Sequence, residues 1–215
     1  MPIPFMKISF RATLPCLILL LFSAPAFSQD TPVRPDKFYT MSGFGFSFPV
    51  GGSTDFMRPK FSTTIGVNLG LGDGGLFLYP KISLHVFGYD NYVTEPNFDY
   101  QLKQGRATTY LLNVALGYRK IVNKFSFYSF LGIGGGFILT PRTAVDPATR
   151  IVMLNNKTNH MGLIEPGAGI EYNIGGANVF IESSFMHGLG DIGGQPFNAV
   201  PVTIGIKPNL SKLFN

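Results

Sequence analysis

The sequence predicts an all-β protein, an eight-stranded antiparallel up-and-down transmembrane β-barrel. Segments of about ten residues alternate in character, as in strands with two different faces. The connections between them alternate between tight turns and longer loops, as in outer-membrane barrels. The 215 residues include 26 Gly, 21 Phe and 9 Tyr, and only 13% are charged. This charged share is about half the usual value and, with so many glycines, disfavours helical bundles and coiled coils.

The first 28 residues are typical of a secretory signal peptide. Lys7 and Arg11 supply positive charge before the apolar run 14–22, and small residues precede a predicted cleavage site at Gln29. The alternative is a membrane anchor, but the run is shorter than the roughly 18 residues that a spanning helix needs. The chain's single cysteine lies inside this segment. We therefore expect a secreted mature chain without thiol chemistry.

The mature chain is predicted to begin with a short periplasmic lead-in, residues 29–37, and to form the barrel over residues 38–215. The clearest alternation lies in 110–119, where Tyr110, Leu112 and Val114 share one face and Leu111, Asn113 and Ala115 share the other. Repeating this test along the chain predicts eight strands: 39–48, 61–71, 78–87, 110–119, 125–139, 163–173, 178–187 and 199–207.

The connections place both chain ends on one side of the barrel. Three of them, 72–75, 120–124 and 174–177, are tight, and two of these carry the Asp-Gly or Gly-Gly pairs that hairpin turns favour. Four longer loops are predicted between the tight turns, at 50–60, 90–106, 141–158 and 188–197. In an outer-membrane barrel the tight turns face the periplasm and the long loops face outward.

The more polar face of the strands is rich in glycine, which distinguishes a membrane barrel from a soluble one. Small residues fit the crowded interior of a narrow barrel, whereas on an exposed face they would only weaken the strands. We therefore place this face in the lumen and the apolar face against lipid. The eleven glycines of the more polar face are Gly43, Gly45, Gly66, Gly70, Gly117, Gly132, Gly134, Gly136, Gly167, Gly169 and Gly205.

The same face carries three cations and three anions, which we predict to pair inside a closed lumen. We expect one ion-pair layer in the periplasmic half, with Glu165 and His85 further towards the loops. The six predicted lumen charges are Lys81, Arg119, Glu165, Glu171, Glu182 and Lys207. The apolar face carries aromatic residues near both strand ends, typical of interfacial girdles: Tyr118, Phe127 and Tyr172 on one side, and Phe48, Tyr110, Phe137 and Phe185 on the other.

The glycine-rich strand segments also resemble a known family. The segments MSGFGFSFPVGG (41–52), GIGGGF (132–137) and GAGIEYNIG (167–175) resemble the outer-membrane β-barrel domain family, small porin-like barrels of the OmpA and OmpX type that are common in Bacteroidota. The resemblance covers residues 38–207 and implies the fold and a Gram-negative outer-membrane location. It implies no activity. The chain departs from the pattern at its end, where Phe214 is not the last residue and Pro208 stops the final strand early.

Motifs for enzymatic chemistry are weak, and we predict no catalytic residues, no cofactor and no metal. Gly70, Gly72 and Gly75 match the letters of a dinucleotide fingerprint, but a strand follows where that fingerprint needs a helix. The three histidines show no metal-ligand spacing. The remaining enzyme alternative is a lipid A-modifying barrel with His187 on the outer face, but the position two residues later is Leu189 and Ser183 is four residues away.

The favoured function is a non-enzymatic barrel with a closed polar lumen that presents surface loops for structural or interaction roles. Candidate contacts in loop 90–106 combine aromatic and basic residues, as interface hot spots do: Tyr92, Phe98, Tyr100, Lys103 and Arg106. The loops' small cationic excess is favourable beside outer-membrane lipid and phosphorylated lipopolysaccharide, although ordinary solvated loops explain it equally well. An accessory barrel of a secretion system, of the PorT kind, is the alternative. We expect a monomer, and the absence of a basic run speaks against nucleic acid.

Overall fold

The computed structural model describes residues 37–95, 98–146, 151–192 and 194–211. The predicted signal peptide lies outside these residues, as do residues 29–36 of the lead-in and 212–215 of the barrel range. The described strands are β1 (Phe38–Pro49), β2 (Met57–Leu71), β3 (Leu76–Glu95), β4 (Phe98–Val122), β5 (Phe125–Asp146), β6 (Ile151–Asn173), β7 (Ala177–Ser184), β8 (Met186–Ile192) and β9 (Gln195–Pro208). A 3₁₀ helix, Gly51–Asp55, joins β1 to β2.

The strands form one antiparallel ring with eight positions, because β7 and β8 share the seventh. Phe185 interrupts this position, and its amide donates to the carbonyl of Pro166 at 2.8 Å. Both halves pair with β6 on one side and β9 on the other. Pairing of β1 with β9 closes the ring. The predicted eight-stranded up-and-down barrel is therefore confirmed.

The three tight turns lie within the predicted segments, but the predicted turn 120–124 shortens to residues 123–124 because β4 continues to Val122. Gly72, Gly75 and Gly175 have φ values of +67°, +84° and +107°, a region that a Cβ disfavours. Asn123 has φ +56° in the two-residue turn between β4 and β5, and asparagine tolerates this conformation better than most residues. These local preferences explain why the turns are readable from sequence.

The predicted loops 90–106 and 141–158 are wrong, because the strands continue through them. β3 and β4 pair as far as Glu95↔Phe98, and β5 and β6 as far as Asp146↔Ile151. Each pair projects as a β-hairpin beyond the point where β4 and β5 separate, at Thr108↔Leu139. In membrane barrels, apolar alternation marks the part of a strand between lipid and lumen, and a hairpin that projects past this part has no such contrast. The alternation pattern therefore underestimates the length of these strands.

The other two predicted loops also shrink. Segment 188–197 is mostly strand, with β8 ending at Ile192 and β9 beginning at Gln195. Segment 50–60 contains the 3₁₀ helix and the start of β2. The described part of the chain contains no helix long and apolar enough to cross a bilayer.

The two strand faces have the predicted orientation. Along β1, Met41, Gly43 and Gly45 are buried, whereas Phe44 and Phe46 are 61% and 59% exposed. The outward face carries exposed aromatic residues at both ends of the strands, including a stacked Tyr110–Phe137 pair with ring centroids 5.2 Å apart. An outward face of this composition is typical of barrels whose solvent is lipid.

Lumen glycines make room for lumen aromatic rings. A Cβ on Gly117 would collide with the ring of Phe77, and a Cβ on Gly167 would collide with that of Phe130. Gly169 faces the ring and hydroxyl of Tyr128 in the same way. The glycine-rich face therefore serves close packing across the lumen.

We expect Gly169→Ala to lower the unfolding temperature in detergent by overpacking, a cost of about 1–3 kcal/mol. The new methyl group would overlap the Tyr128 ring and lie 2.8 Å from the carbonyl oxygen of Ile181. Gly70→Ala is the matched control, because its nearest neighbour would lie at an ordinary 3.4 Å. Thermal unfolding should separate the two variants; equal unfolding temperatures would contradict this packing role.

Candidate functional site

The lumen near the tight turns holds the first of two charged clusters, centred on Glu171. Lys207 Nζ lies 2.7 Å and Arg119 Nη2 lies 3.1 Å from Glu171 Oε1. The Asn178 amide donates to Glu171 Oε2 at 3.1 Å, and Arg119 donates to Asn68 Oδ1 at 2.8 Å. Both atoms of this fully buried carboxylate thus have partners, as a buried charge requires.

The second cluster is centred on Lys81. Its Nζ lies 2.6 Å from Glu165 Oε1 and 3.5 Å from Glu182 Oε1. Ser184 and the Asn113 amide also donate to Glu165, at 2.6 and 2.5 Å. All of these side chains are buried.

The two clusters have opposite net charges and are joined by tyrosines. The first has two cations for one anion, and the second has one cation for two anions. Lys207 Nζ lies 4.1 Å from the centre of the Tyr128 ring, whose hydroxyl donates to Glu182 at 2.8 Å. Tyr79 donates to the same carboxylate at 3.3 Å. The lumen charges therefore balance only when the clusters are taken together.

The structure brings all six predicted lumen charges together but arranges them differently from the single predicted layer. Glu165 does not lie apart from the ion pairs, since it is the closer partner of Lys81. Sequence reasoning placed Asn68 and Asn113 on the same face as these charges but did not single out the other neutral partners, Tyr79, Tyr128, Asn178 and Ser184. Their position on the inward face was a usable signal, but their contacts depend on residues far away in sequence.

The outer half of the lumen is mainly apolar, with a few buried polar groups such as Ser47 and His85, which corrects the prediction of a polar lumen. Phe87 and Phe197 meet edge to face at 5.7 Å between ring centroids. Buried apolar side chains pack around them, namely Met57, Tyr89, Ala107, Leu111, Ile138, Met161, Leu163, Met186, Ile192 and Ala199. We call this group the apolar plug. The closed barrel interior is a protein core at this level, so apolar filling is favourable there.

Of the three histidines, one lies in the lumen and two face outward. His85 lies between Lys81 and Phe87 along β3, and its Nδ1 is 2.6 Å from the hydroxyl of Ser47. His160 lies edge-on to the ring of Phe137, with 6.2 Å between ring centroids. The described residues contain no group of three or more His, Cys, Asp or Glu that could hold a metal ion.

The outward residues of the lipid A-modifying alternative do not form a catalytic pair. His187 Nδ1 lies 2.7 Å from Asn198 Oδ1, and its ring stacks on Phe185. The hydroxyl of Ser183 donates to the carbonyl of Pro201 at 3.1 Å. A nucleophile–base pair needs direct hydrogen bonding between the two side chains, and here each has another partner.

The predicted contacts of segment 90–106 belong to the β3–β4 hairpin. Their backbone positions are cross-strand pairs of one ribbon, with Tyr92 opposite Gln101, Tyr100 opposite Val93 and Phe98 opposite Glu95. Lys103 and Arg106 are exposed. The structure therefore places these five residues in one hairpin, although only Lys103 and Arg106 have described side chains.

The closed ring, the inverted faces and the filled lumen define a small closed barrel of the outer-membrane type. In structure, the chain is similar to Neisserial surface protein A (NspA), with a TM-score of 0.58 and 9% identity over 80% of this chain and 96% of that one. It also aligns with Ail of Yersinia pestis, solved with the heparin analogue sucrose octasulfate, at a TM-score of 0.44, 12% identity and coverages of 80% and 98%. The N-terminal barrel of Pseudomonas aeruginosa OprF aligns at 0.39, 12% identity and the same coverages. No family model and no curated protein matches the sequence.

Proposed function

We propose that the protein is a non-enzymatic barrel of the Gram-negative outer membrane whose β-hairpins act as an outer contact surface. The filled lumen carries this proposal. Ion-paired clusters occupy the half near the tight turns, and the apolar plug occupies the other half. Such an interior offers no aqueous path for a solute, so the surfaces available for function are those outside the barrel.

The β3–β4 and β5–β6 hairpins are the most prominent of these surfaces. They extend beyond the last β4–β5 pair by about ten residues on each strand of β3–β4 and about seven on β5–β6. Both leave backbone edges where β4 and β5 no longer pair, and such edges favour contact with another chain. Residues 92–101 are the favoured contact region, because they combine aromatic residues with the nearby Lys103 and Arg106.

The location has a direct test. Membrane fractionation should recover the mature chain, starting at Gln29, in the outer membrane. Unboiled protein should migrate differently from boiled protein on SDS gels, because the closed ring of strands has no free edge at which to begin unfolding. Recovery as a soluble periplasmic protein would contradict the proposal.

Shortening the β3–β4 hairpin should abolish partner binding and preserve the barrel. Asn91 and Leu102 are opposite each other in the β3–β4 register. Residues 92–101 between them are replaced by an Asn-Gly turn, which suits a two-residue hairpin. Crosslinking at the cell surface followed by mass spectrometry would identify partners of the intact protein and test their loss. A secretion-system component among them would favour the accessory-barrel role.

The matched control shortens the other hairpin. Thr143↔Leu154 is also a register pair, so an Asn-Gly turn there likewise replaces ten residues, 144–153. Both variants should keep heat-modifiable migration, because every strand of the ring is retained. If the β3–β4 variant keeps all crosslinks, or if both variants lose them equally, residues 92–101 are not the contact site.

A further inference from the structure

Three basic side chains surround Gly88 on the outer wall of the barrel. Arg58 on β2 and Arg106 on β4 are the direct cross-strand neighbours of Gly88. A Cβ at Gly88 would lie 3.1 Å from Cβ of Arg58 and 3.6 Å from Cε of Lys60. Because Gly88 has no side chain, the stems of Arg58 and Lys60 lie over it. We call Arg58, Lys60 and Arg106 the basic cluster.

Most of this positive charge is not neutralised by the described part of the chain. All three side chains are exposed. Asp90 is the acidic partner found there, with its Oδ2 3.8 Å from Arg58 Nε. An ion pair of that length between exposed groups is weak. The basic cluster thus keeps a net charge of about +2 and presents guanidinium groups, which match phosphate geometry.

The cluster lies at the outer boundary of the apolar belt. Phe61, which is 47% exposed, follows Lys60 directly, and exposed Tyr110 lies four residues from Arg106 towards the membrane. Aromatic residues of this kind mark the interface of a barrel with the headgroup layer. In the proposed outer-membrane location, the basic cluster is therefore level with lipid headgroups.

A groove beside Arg106 extends the site. It has a volume of about 300 Å³ and lies where the two hairpins separate. Its lining combines Arg106, Gln104 and Asn156 with the apolar residues Leu139, Pro141 and Leu154. A mixed lining next to a cation suits an amphiphile better than a free inorganic anion.

We propose that the basic cluster binds the phosphate of a phosphorylated glycolipid in the outer leaflet, with its sugar portion towards the groove. This inference rests on the proposed outer-membrane location. Its chemistry is that of an anionic headgroup held by exposed cations beside an interfacial aromatic girdle. The bound lipid would hold β2, β3 and β4 together at the base of the β3–β4 hairpin.

The test uses full-length mature protein in phosphatidylcholine nanodiscs doped with increasing amounts of bisphosphorylated lipid A. Binding is measured as lipid A retained per protein by native mass spectrometry. The variant is Arg58→Gln with Lys60→Gln and Arg106→Gln. Each cation near the headgroup layer contributes about fivefold, and Asp90 already offsets part of Arg58, so we expect affinity to fall about thirtyfold. Heat-modifiable migration, measured in parallel, reports on the barrel independently.

The control removes the same charge at the opposite end, by Lys37→Gln with Lys120→Gln and Lys124→Gln, all exposed. It should bind lipid A clearly more tightly than the Arg58/Lys60/Arg106 variant does, because the basic cluster and its groove are intact. Gly88→Val changes no charge but displaces the two basic stems, so it should also weaken binding. Equal binding by the wild type and the Arg58/Lys60/Arg106 variant, or equal binding of dephosphorylated lipid A, would overturn the proposal. Displacement by millimolar inorganic phosphate would show a free-anion site instead and would overturn it as well.

Discussion

Replacing Glu171 by glutamine should destabilise the barrel more than any exposed charge change. Glutamine preserves the shape of the side chain but leaves Lys207 and Arg119 without their anion in a confined lumen. Removing one partner of a buried pair costs about 3–5 kcal/mol in comparable cases. We expect a large decrease in the temperature at which the heat-modifiable form disappears, measured on SDS gels and by circular dichroism.

Two further variants separate loss of charge balance from general damage. Asp73→Asn breaks the exposed Lys37–Asp73 pair, whose atoms are 2.9 Å apart, and should have little effect because surface pairs contribute at most about 1 kcal/mol. Adding Lys207→Met to Glu171→Gln should recover a large part of the loss, since the fully buried stranded cation is gone. A double variant less stable than Glu171→Gln alone would refute the ion-pair explanation.

Truncating Phe87 to alanine should have a comparable effect in the outer half of the lumen. Phe87 is fully buried in the apolar plug against Phe197. Phenylalanine-to-alanine changes in cores cost about 3–5 kcal/mol, because a cavity remains. Unfolding in detergent should therefore begin at a much lower temperature.

Phe46→Ala is the control for Phe87→Ala. Phe46 is outward and 59% exposed, so lipid or detergent chains would fill the space and no cavity would remain. Single-channel recordings in planar bilayers add a second measurement. Wild-type protein should show no steady conductance. The Phe87→Ala variant should also remain closed, because the ion-paired clusters still fill the half of the lumen near the tight turns. An open channel in the wild type would contradict the sealed lumen.

The barrel with its sealed lumen serves as the scaffold, and we propose that the hairpins serve as the contact surface. The barrel contains the charges that a membrane disfavours and satisfies them internally. The hairpins and the basic cluster lie outside the apolar belt, where we propose that they contact headgroups or other molecules. Variants of Glu171 and Phe87 should therefore change stability, whereas hairpin and Arg58/Lys60/Arg106 variants should change binding.

The sequence alone determined the strand faces, the tight turns and the six charged residues of the lumen. Alternation has a period of two residues and arises from local backbone geometry, so it correctly assigned Glu171 and Lys207 to one face. Gly72, Gly75 and Gly175 marked turns because positive φ is a property of single residues. The same alternation missed the outer hairpins, where no lipid imposes a contrast between faces.

Only the tertiary structure decided which charges pair and which surfaces meet. Lys81 and Glu165 are 84 residues apart, and their contact depends on ring size and strand stagger, which no local pattern encodes. The apolar plug likewise depends on contacts between residues far apart in sequence, such as Phe87 and Phe197. The basic cluster arises from the register of β2, β3 and β4 around Gly88. Sequence thus determined what each face carries, and ring closure determined what each side chain touches.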